Sequence, residues 1–143
     1  MAPANKNKMP PQTVGNIGLF YVCYRLSRMG WNVLPTSRNA KGVDLIIYSN
    51  DAKRTHTIQV KALSKRYPAP LGASLDNLIA DFVVVCTHVV KPGTEPACFV
   101  LKSKEVRDLA VVNEKDEKKS YWLQPKQYAV DKFRDKWNRI GNG

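Results

Sequence analysis

Three polar residues near the middle of the chain have side chains suited to chemistry on a phosphodiester. Asp44 stands at the head of an apolar run, and Gln59 and Lys61 alternate with apolar residues farther along the sequence. A carboxylate and an amide oxygen can bind a hard divalent cation such as Mg²⁺, while substrate phosphate and water complete its octahedral shell. An ammonium group beside the phosphate stabilises the negative charge that develops there. Together these residue types favour metal-assisted hydrolysis of a phosphodiester.

Two short β-strands and a tight turn would bring these side chains together. Residues 42–48 and 57–61 are rich in β-branched and aromatic residues, which is typical of strands. The stretch between them is polar and short enough to close a hairpin. Folding the chain at this turn places Asp44 opposite Gln59 or its neighbour Val60. The sequence therefore predicts a carboxylate, an amide and an ammonium group on one small patch of a sheet.

Each of these residues also has a purely structural interpretation. Because side chains alternate along a strand, Gln59 and Lys61 share one face and could equally be the solvent-exposed face of an edge strand. Asp44 could be a strand-start residue bonded to the loop around Arg38 or Lys41. Against this, an unpaired carboxylate inside an apolar run is costly, and ionisable groups in apolar settings tend to mark functional sites. We therefore favour the functional interpretation.

The charge balance indicates a polyanionic partner. The 143 residues include 23 Lys and Arg against 12 Asp and Glu, which leaves a formal net charge of +11 and a pI near 9.7. Such an excess favours nucleic acid first and an anionic membrane second. The alternative is a basic, well-solvated surface with no specific partner. Loops on either side of the two strands carry the candidate nucleic-acid contacts, which are Ser37, Arg38, Lys41, Lys65 and Arg66.

The cysteines and the hydropathy pattern indicate a protein of the reducing cytoplasm. Cys23, Cys86 and Cys98 stand in apolar contexts without a C-x-x-C pair, and with two histidines they cannot form a zinc cluster. Buried free thiols are the simple interpretation. No stretch approaches the roughly 18 apolar residues of a membrane span, and the start of the chain lacks the apolar centre of a signal peptide. We therefore expect a cytoplasmic protein without a membrane partner.

One domain with a short tail is the expected organisation. Residues 1–12 are rich in Pro, Asn and Lys and are expected to be disordered, and residues 13–143 form the domain. Apolar residues at helical spacing predict a helix that Thr13 caps and Gly30 ends. The remaining pattern predicts strands at 31–34, 42–48, 57–61, 82–87 and 97–101, a helix at 103–110, a charged loop at 113–119, a brief strand at 121–123 and a helix at 126–138. This order of elements predicts an α/β fold in which helices flank a central mixed β-sheet.

A helix followed by G-V-D-L-I and then by I-Q-V-K, within residues 14–61, resembles the PD-(D/E)XK nuclease superfamily. That superfamily includes type II restriction enzymes, Holliday-junction resolvases and Mrr-type restriction domains, and residues 81–101 match it by order of elements alone. The resemblance implies a restriction-endonuclease-like core and DNA as the substrate. Carried over by position, it implies that Asp44 ligates Mg²⁺ or Mn²⁺ and that Gln59 stands at the second metal-ligand position. Lys61 would orient the attacking water or stabilise charge on the phosphate.

Two positions depart from the pattern of the superfamily. Gln59 is neutral where a carboxylate is usual, and this leaves one fewer negative charge to hold a hard cation. Related domains often carry a Glu after a Gly in the first helix, whereas here Leu19 follows Gly18. Asn16 or Tyr21 could take the place of that Glu. These departures keep functions other than catalysis open.

Three functions compete on this evidence. The first is a metal-dependent endonuclease that hydrolyses DNA phosphodiester bonds in repair, recombination or restriction. We expect it to be structure-dependent or weakly sequence-specific, because 143 residues leave no room for a separate target-recognition domain. It could act as a homodimer, since cutting two strands needs two sites. The second function is a catalytically weak or inactive nuclease-fold module that binds nucleic acid. The third is a protein-interaction partner that keeps the fold as a scaffold, and fold alone does not choose among them.

Overall fold

A mixed β-sheet with a long helix across one face forms the centre of the structure. The computed structural model describes residues 8–37 and 42–143. In these ranges the helices are α1 (Pro11–Arg28), α2 (Ser103–Leu109) and α3 (Pro125–Tyr128). The strands are β1 (Asn32–Pro35), β2 (Leu45–Tyr48), β3 (Thr55–Ala62), β4 (Ala69–Gly72), β5 (Phe82–Thr87), β6 (Ala97–Lys102), β7 (Val111–Lys115) and β8 (Lys118–Leu123).

The central sheet has the order β1-β2-β3-β5-β6, in which β3 and β5 are parallel and the other neighbours are antiparallel. Every residue of β5 is buried, because this strand lies inside the sheet and both of its faces are covered. One apolar cluster fills the space under α1, and a second fills the space beneath a smaller sheet with the order β4-β8-β7. The prediction of an α/β fold with a central mixed sheet flanked by helices is confirmed.

Helix α1 lies across β3 and β1 and begins at Pro11, two residues before the predicted start. Proline fits the first helical turn because its fixed φ suits a helix and its missing N–H would have no partner there. Thr13 therefore lies inside the helix and is not its cap, and the last two residues of the predicted tail are helical. Val22 and Leu26 are buried against the sheet. Within the described residues, no helix combines the length and the apolarity needed to cross a membrane.

The predicted helix at 126–138 does not form as one element. Its start falls in α3 and its end in a 3₁₀ turn. Between these, the Val100 N–H donates to the Phe133 carbonyl and the Asp135 N–H donates to the Cys98 carbonyl, both at 2.9 Å. The segment therefore covers the outer edge of β6, and satisfying the backbone groups of that edge outweighs helical propensity. The aromatic side chains still pack as predicted, and those buried are Tyr128, Phe133 and Trp137.

The same C-terminal segment, residues 129–143, also binds the start of the domain. The Trp31 indole N–H donates to the Gly141 carbonyl at 2.8 Å, and the Gly143 N–H donates to the Met29 carbonyl at 3.0 Å. These bonds join the connection between α1 and β1 to the far end of the chain.

The charged stretch at 113–119, predicted to be a loop, forms most of the β7–β8 hairpin. Asp116 and Glu117 make the turn, with φ values of 53° and 64°, and a turn with positive φ at both positions follows the natural twist of a hairpin. The outer residues are exposed, so no apolar alternation marks them as strands in the sequence. The strand predicted at 121–123 is confirmed as the inner half of β8.

Gly18→Ala is expected to destabilise the fold, because a Cβ at this position would overlap the Ala62 Cβ and push α1 away from β3. Overpacking of this kind costs about 1–3 kcal/mol. Gly15→Ala is the matched control, since nothing lies within 4 Å of its added Cβ. Replacing a glycine in a helix stabilises by roughly 0.5–1 kcal/mol. Urea unfolding followed by circular dichroism measures both changes, and equal effects would contradict a close contact at Gly18.

Candidate active site

The Asp44 carboxylate is held directly before β2, where the pairing of β2 with β3 ends. Its Oδ2 atom accepts a hydrogen bond from the Val60 N–H at 2.7 Å. The Asp44 N–H donates to the Ile58 carbonyl, and the Asp44 carbonyl accepts from the Thr36 N–H, both at 2.9 Å. The carboxylate thus takes the place of the backbone carbonyl that would accept from the Val60 N–H if the pairing of β2 with β3 continued. A main-chain donor fixes its orientation and leaves Oδ1 for another ligand.

Gly42 allows the chain to enter β2 in this position. Its φ is +71°, and a Cβ here would overlap the carbonyl oxygen of Asn77. Only glycine combines this backbone conformation with such a close approach. The 3₁₀ turn at Leu75–Asn77 therefore packs against the segment that leads to Asp44.

Gln59 and Lys61 lie on β3 opposite Val83 and Val85 of β5, on the face of the sheet away from α1. The Gln59 Oε1 atom is buried and has no hydrogen-bond partner among the described residues, which is costly for a polar atom unless a ligand binds it. Burial lowers the pKa of the Lys61 ammonium from its usual value, and the Asp44 carboxylate opposes this shift. The structure therefore brings the three sequence-identified residues to the same end of the sheet.

A small cleft of about 210 Å³ opens beside Asp44, between the first half of α1 and the end of β3. We call it the Asp44 cleft, and the residues that line it are Gly15, Asn16, Leu19, Asp44 and Val60. Leu19 contributes an apolar wall, because its aliphatic side chain has no atom that can bind a metal. Asn16 contributes an amide from the helix. The cleft is open to solvent and places the carboxylate where a small polar group could reach it.

Of the two residues that could replace the usual helix Glu, only Asn16 lines the Asp44 cleft. Tyr21 points elsewhere: its hydroxyl accepts from Arg25 at 3.3 Å and donates to Glu95 at 3.5 Å. The sequence offers Asn16 and Tyr21 without a basis for choosing between them. What selects it over Tyr21 is the way α1 sits on β3, which a sequence pattern does not reveal.

The donors present fit a hard cation that keeps much of its water. In the described part of the chain, no three or more His, Cys, Asp and Glu side chains converge as a metal site. Asp44 Oδ1 and the unpaired Gln59 Oε1 are oxygen donors of the kind that Mg²⁺ and Mn²⁺ prefer. Mg²⁺ is commonly bound through one or two carboxylates together with substrate phosphate and water. The side chains therefore suit a metal that binds together with its substrate.

The flanking basic residues differ in how far they are free to bind phosphate. Ser37 follows β1, and its side chain and that of Lys65 are exposed. Arg66 is exposed too, but its guanidinium lies 5.8 Å from the centre of the Phe99 ring, so part of its surface is used in packing. Arg38 and Lys41, which the sequence also predicted as contacts, lie outside the described residues.

Two ionisable residues near the sheet have structural roles. The Asp81 carboxylate accepts from the Thr57 N–H at 2.9 Å and from its hydroxyl at 3.3 Å, so it ties the start of β5 to β3. His56 lies between the rings of Trp31 and Phe82, with ring centres 5.5 and 5.4 Å away. Its side chain faces the cluster under α1, away from Lys61.

Lys61→Met is expected to raise the stability of the fold at neutral pH, because it removes a partly buried charge and keeps the apolar stem. The folded-state pKa of Lys61 lies below the unfolded value of 10.5. The penalty is therefore complete below the folded-state pKa and is relieved as the pH rises towards 10.5. The stability advantage of the variant should shrink at alkaline pH in urea unfolding. Lys104→Met, at an exposed position on α2, is the control, and a similar pH dependence there would contradict this account.

The chain matches no protein-family model and no curated protein. Among solved structures it is similar to a bacterial homing endonuclease, I-Ssp6803I, with 14% sequence identity and a TM-score of 0.58. The likeness covers 93% of this chain and 94% of that one. At this identity the comparison concerns the fold, which is therefore of a kind found in a nuclease. Membership of the PD-(D/E)XK superfamily stays a prediction from the motif.

Proposed function

We propose that this chain is a metal-dependent endonuclease that hydrolyses phosphodiester bonds of DNA. The observation that carries the proposal is the location of the oriented Asp44 carboxylate, the unpaired Gln59 oxygen and the partly buried Lys61 ammonium at the same end of the sheet, with Asp44 close enough to Lys61 to affect its pKa. The nuclease-like fold and the net charge of +11 support it. A cytoplasmic location follows from the same proposal, since cellular DNA is the substrate.

Each polar group of the site has a role in this proposal. Asp44 and Gln59 would hold Mg²⁺ or Mn²⁺ through their oxygens, and the bound metal would supply an acidified water and screen phosphate charge. The Val60 N–H fixes the orientation of the Asp44 carboxylate. Lys61 binds a phosphate oxygen through its N–H donors, which counteracts the charge that develops in the transition state. Asn16, on the α1 side of the sheet, can donate a hydrogen bond to a polar group of the substrate in the Asp44 cleft.

The DNA backbone would continue from the cleft over the exposed Ser37 and Lys65 side chains and the free edge of Arg66. Such contacts neutralise phosphates without reading bases, which fits structure-dependent or weakly sequence-specific cutting. Two copies of the chain in a homodimer would provide one site for each strand of a duplex.

A binding module that does not cut is the second candidate. It is favoured by the neutral Gln59 and by the absence, within the described residues, of three converging acidic, His or Cys side chains. It predicts DNA binding that weakens steeply with salt, because each phosphate contact releases counterions. It predicts no cleavage with any metal.

Asp44→Asn is expected to abolish cleavage and leave the fold intact. The amide oxygen can still accept from the Val60 N–H, but the charge that binds the metal is gone. Lys61→Met should lower the rate by roughly 10²–10³-fold, the usual effect of losing one group that stabilises transition-state charge. The measurement is cleavage of plasmid, single-stranded and branched DNA with Mg²⁺ or Mn²⁺.

Comparison of Asp44→Asn with Asp44→Ala separates loss of chemistry from loss of structure, when cleavage and urea unfolding are both measured. Asp44→Ala leaves the Val60 N–H without its acceptor, so it should destabilise by about 1–3 kcal/mol in addition to removing activity. Full cleavage by Asp44→Asn would overturn the proposed function. Intact, salt-sensitive DNA binding with no cleavage by the wild type would establish the binding module instead.

Gln59→Glu is expected to lower the Mg²⁺ concentration needed for half-maximal cleavage, because a second carboxylate strengthens the hold on a hard cation. The titration is run at constant ionic strength, since salt alone weakens DNA binding. Gln127→Glu, which adds the same charge on α3, is the control and should leave the Mg²⁺ dependence unchanged. An unchanged Mg²⁺ dependence in Gln59→Glu would show that this side chain does not face the metal.

A further inference from the structure

The outward face of α1 carries large aromatic side chains that the core does not use. Phe20 is 62% exposed and Tyr24 is 51% exposed. Asn16 precedes them and Arg28 follows them, so that four exposed residues recur at intervals of four along the helix. We call this row the α1 stripe. Residues four apart are neighbours on a helix surface, so the stripe is continuous.

The charged side chains of α1 itself are all positive. The sequence of α1 contains no Asp or Glu. Neither Arg25 nor Arg28 lies within 4 Å of a carboxylate oxygen among the described residues. Two acids of other elements lie nearby: Glu95 lines a concavity of about 340 Å³ with Tyr24, Arg25, Arg28 and Met29, and Asp135 is close enough to affect the pKa of Arg25.

Aromatic contacts hold the two arginines in place. The Arg28 guanidinium lies 5.7 Å from the centre of the Tyr24 ring and donates to the Tyr24 hydroxyl at 3.0 Å. The Arg25 guanidinium lies 5.1 Å from the centre of the Trp137 ring. Stacked guanidinium groups keep N–H donors for phosphate oxygens, so the surface offers π faces and phosphate donors together.

The stripe begins at the candidate active site. Asn16 is both its first residue and part of the wall of the Asp44 cleft. At a rise of about 1.5 Å per residue, the helix carries the stripe roughly 18 Å from Asn16 to Arg28. A strand lying on the stripe would therefore lead directly into the cleft.

We propose that the α1 stripe binds an unpaired nucleic-acid strand, so that the substrate is DNA with a single-stranded segment beside the cleaved bond. This inference rests on the proposed function and deepens it. Exposed aromatic side chains stack on bases of any sequence, and arginines contact the backbone between them. Duplex DNA fits the stripe poorly, because its bases already stack on one another. A second copy of the chain fits poorly as well, since two α1 faces would bring like charges together.

The test is the affinity of a fluorescent oligothymidylate and of a duplex hairpin, measured by anisotropy in EDTA to prevent cleavage. Phe20→Leu and Tyr24→Leu keep apolar bulk but remove the π face. Each should weaken single-strand binding by roughly tenfold, within the range that stacking of one base contributes, and should leave duplex affinity nearly unchanged. Phe20→Trp restores a π face and should restore binding.

Arg28→Ala should weaken single-strand binding and reduce its salt dependence by about one phosphate contact. Lys104→Ala, another exposed cation on a helix, is the matched control and should change neither. Unchanged single-strand affinity in both leucine variants overturns the proposal, as does an equal loss for single strand and duplex. If sedimentation shows that the wild type is a dimer and the leucine variants are monomers, the proposal is overturned in favour of an interface between copies.

The two proposals fail separately. If Asp44→Asn still cuts DNA while the leucine variants bind single-stranded DNA weakly, the proposal for the α1 stripe is supported and the proposed role of Asp44 is overturned. If Asp44→Asn is inactive and the leucine variants bind normally, the endonuclease stands and the stripe does not.

Discussion

The close packing of α1 on β3 sets the geometry of everything around Asp44. Gly18 lies against Ala62 with no room for a side chain between them, so the first half of the helix descends onto the end of β3. This contact creates the Asp44 cleft and places Asn16 at its rim. A helix held farther away would leave the Asp44 carboxylate in open solvent, where water and salt weaken its electrostatic interactions.

Two of the three residues proposed for chemistry, Gln59 and Lys61, each lower the stability of the fold. Lys61 carries a charge into a partly buried position, and Gln59 leaves a buried oxygen unpaired. Asp81, by contrast, satisfies two donors of Thr57 on the same sheet. Unmet polar groups cost stability, and they concentrate at functional sites because their partners arrive with the substrate. This contrast separates the candidate site from structural polar residues near it.

Most of the helices and strands could be predicted from the sequence because their local patterns are strong. Composition and spacing are enough to predict the apolar strand β5 and the hairpin within residues 42–61. The predictions that were wrong, a loop at 113–119 and a helix at 126–138, depend on backbone pairing between distant segments, which local propensity does not contain. Strand β4 was missed for a related reason, since its Pro and Gly are typical of a turn.

The candidate site was predictable in part. Alternation along a strand is enough to put Gln59 and Lys61 on one face and to bring Asp44 beside them. The Val60 N–H is free to orient the carboxylate because the pairing of β2 with β3 ends there. Asn16 lines the cleft, and Tyr21 does not, because of the way α1 packs on β3. Neither feature leaves a signal in residue types. The roles of these side chains in binding a metal or a phosphate stay predictions.

The C-terminal segment has a consequence for how the chain reaches its native state. The bond from the Trp31 indole to Gly141 joins residues 110 positions apart. Closing so long a loop costs chain entropy before the contact returns any free energy, so this step comes late in folding. The same segment covers the outer edge of β6 through Phe133 and Asp135. Before the segment docks, that edge is a template for pairing with another molecule. The yield of refolding should therefore depend on protein concentration, with dilute chains escaping an aggregation that concentrated chains do not.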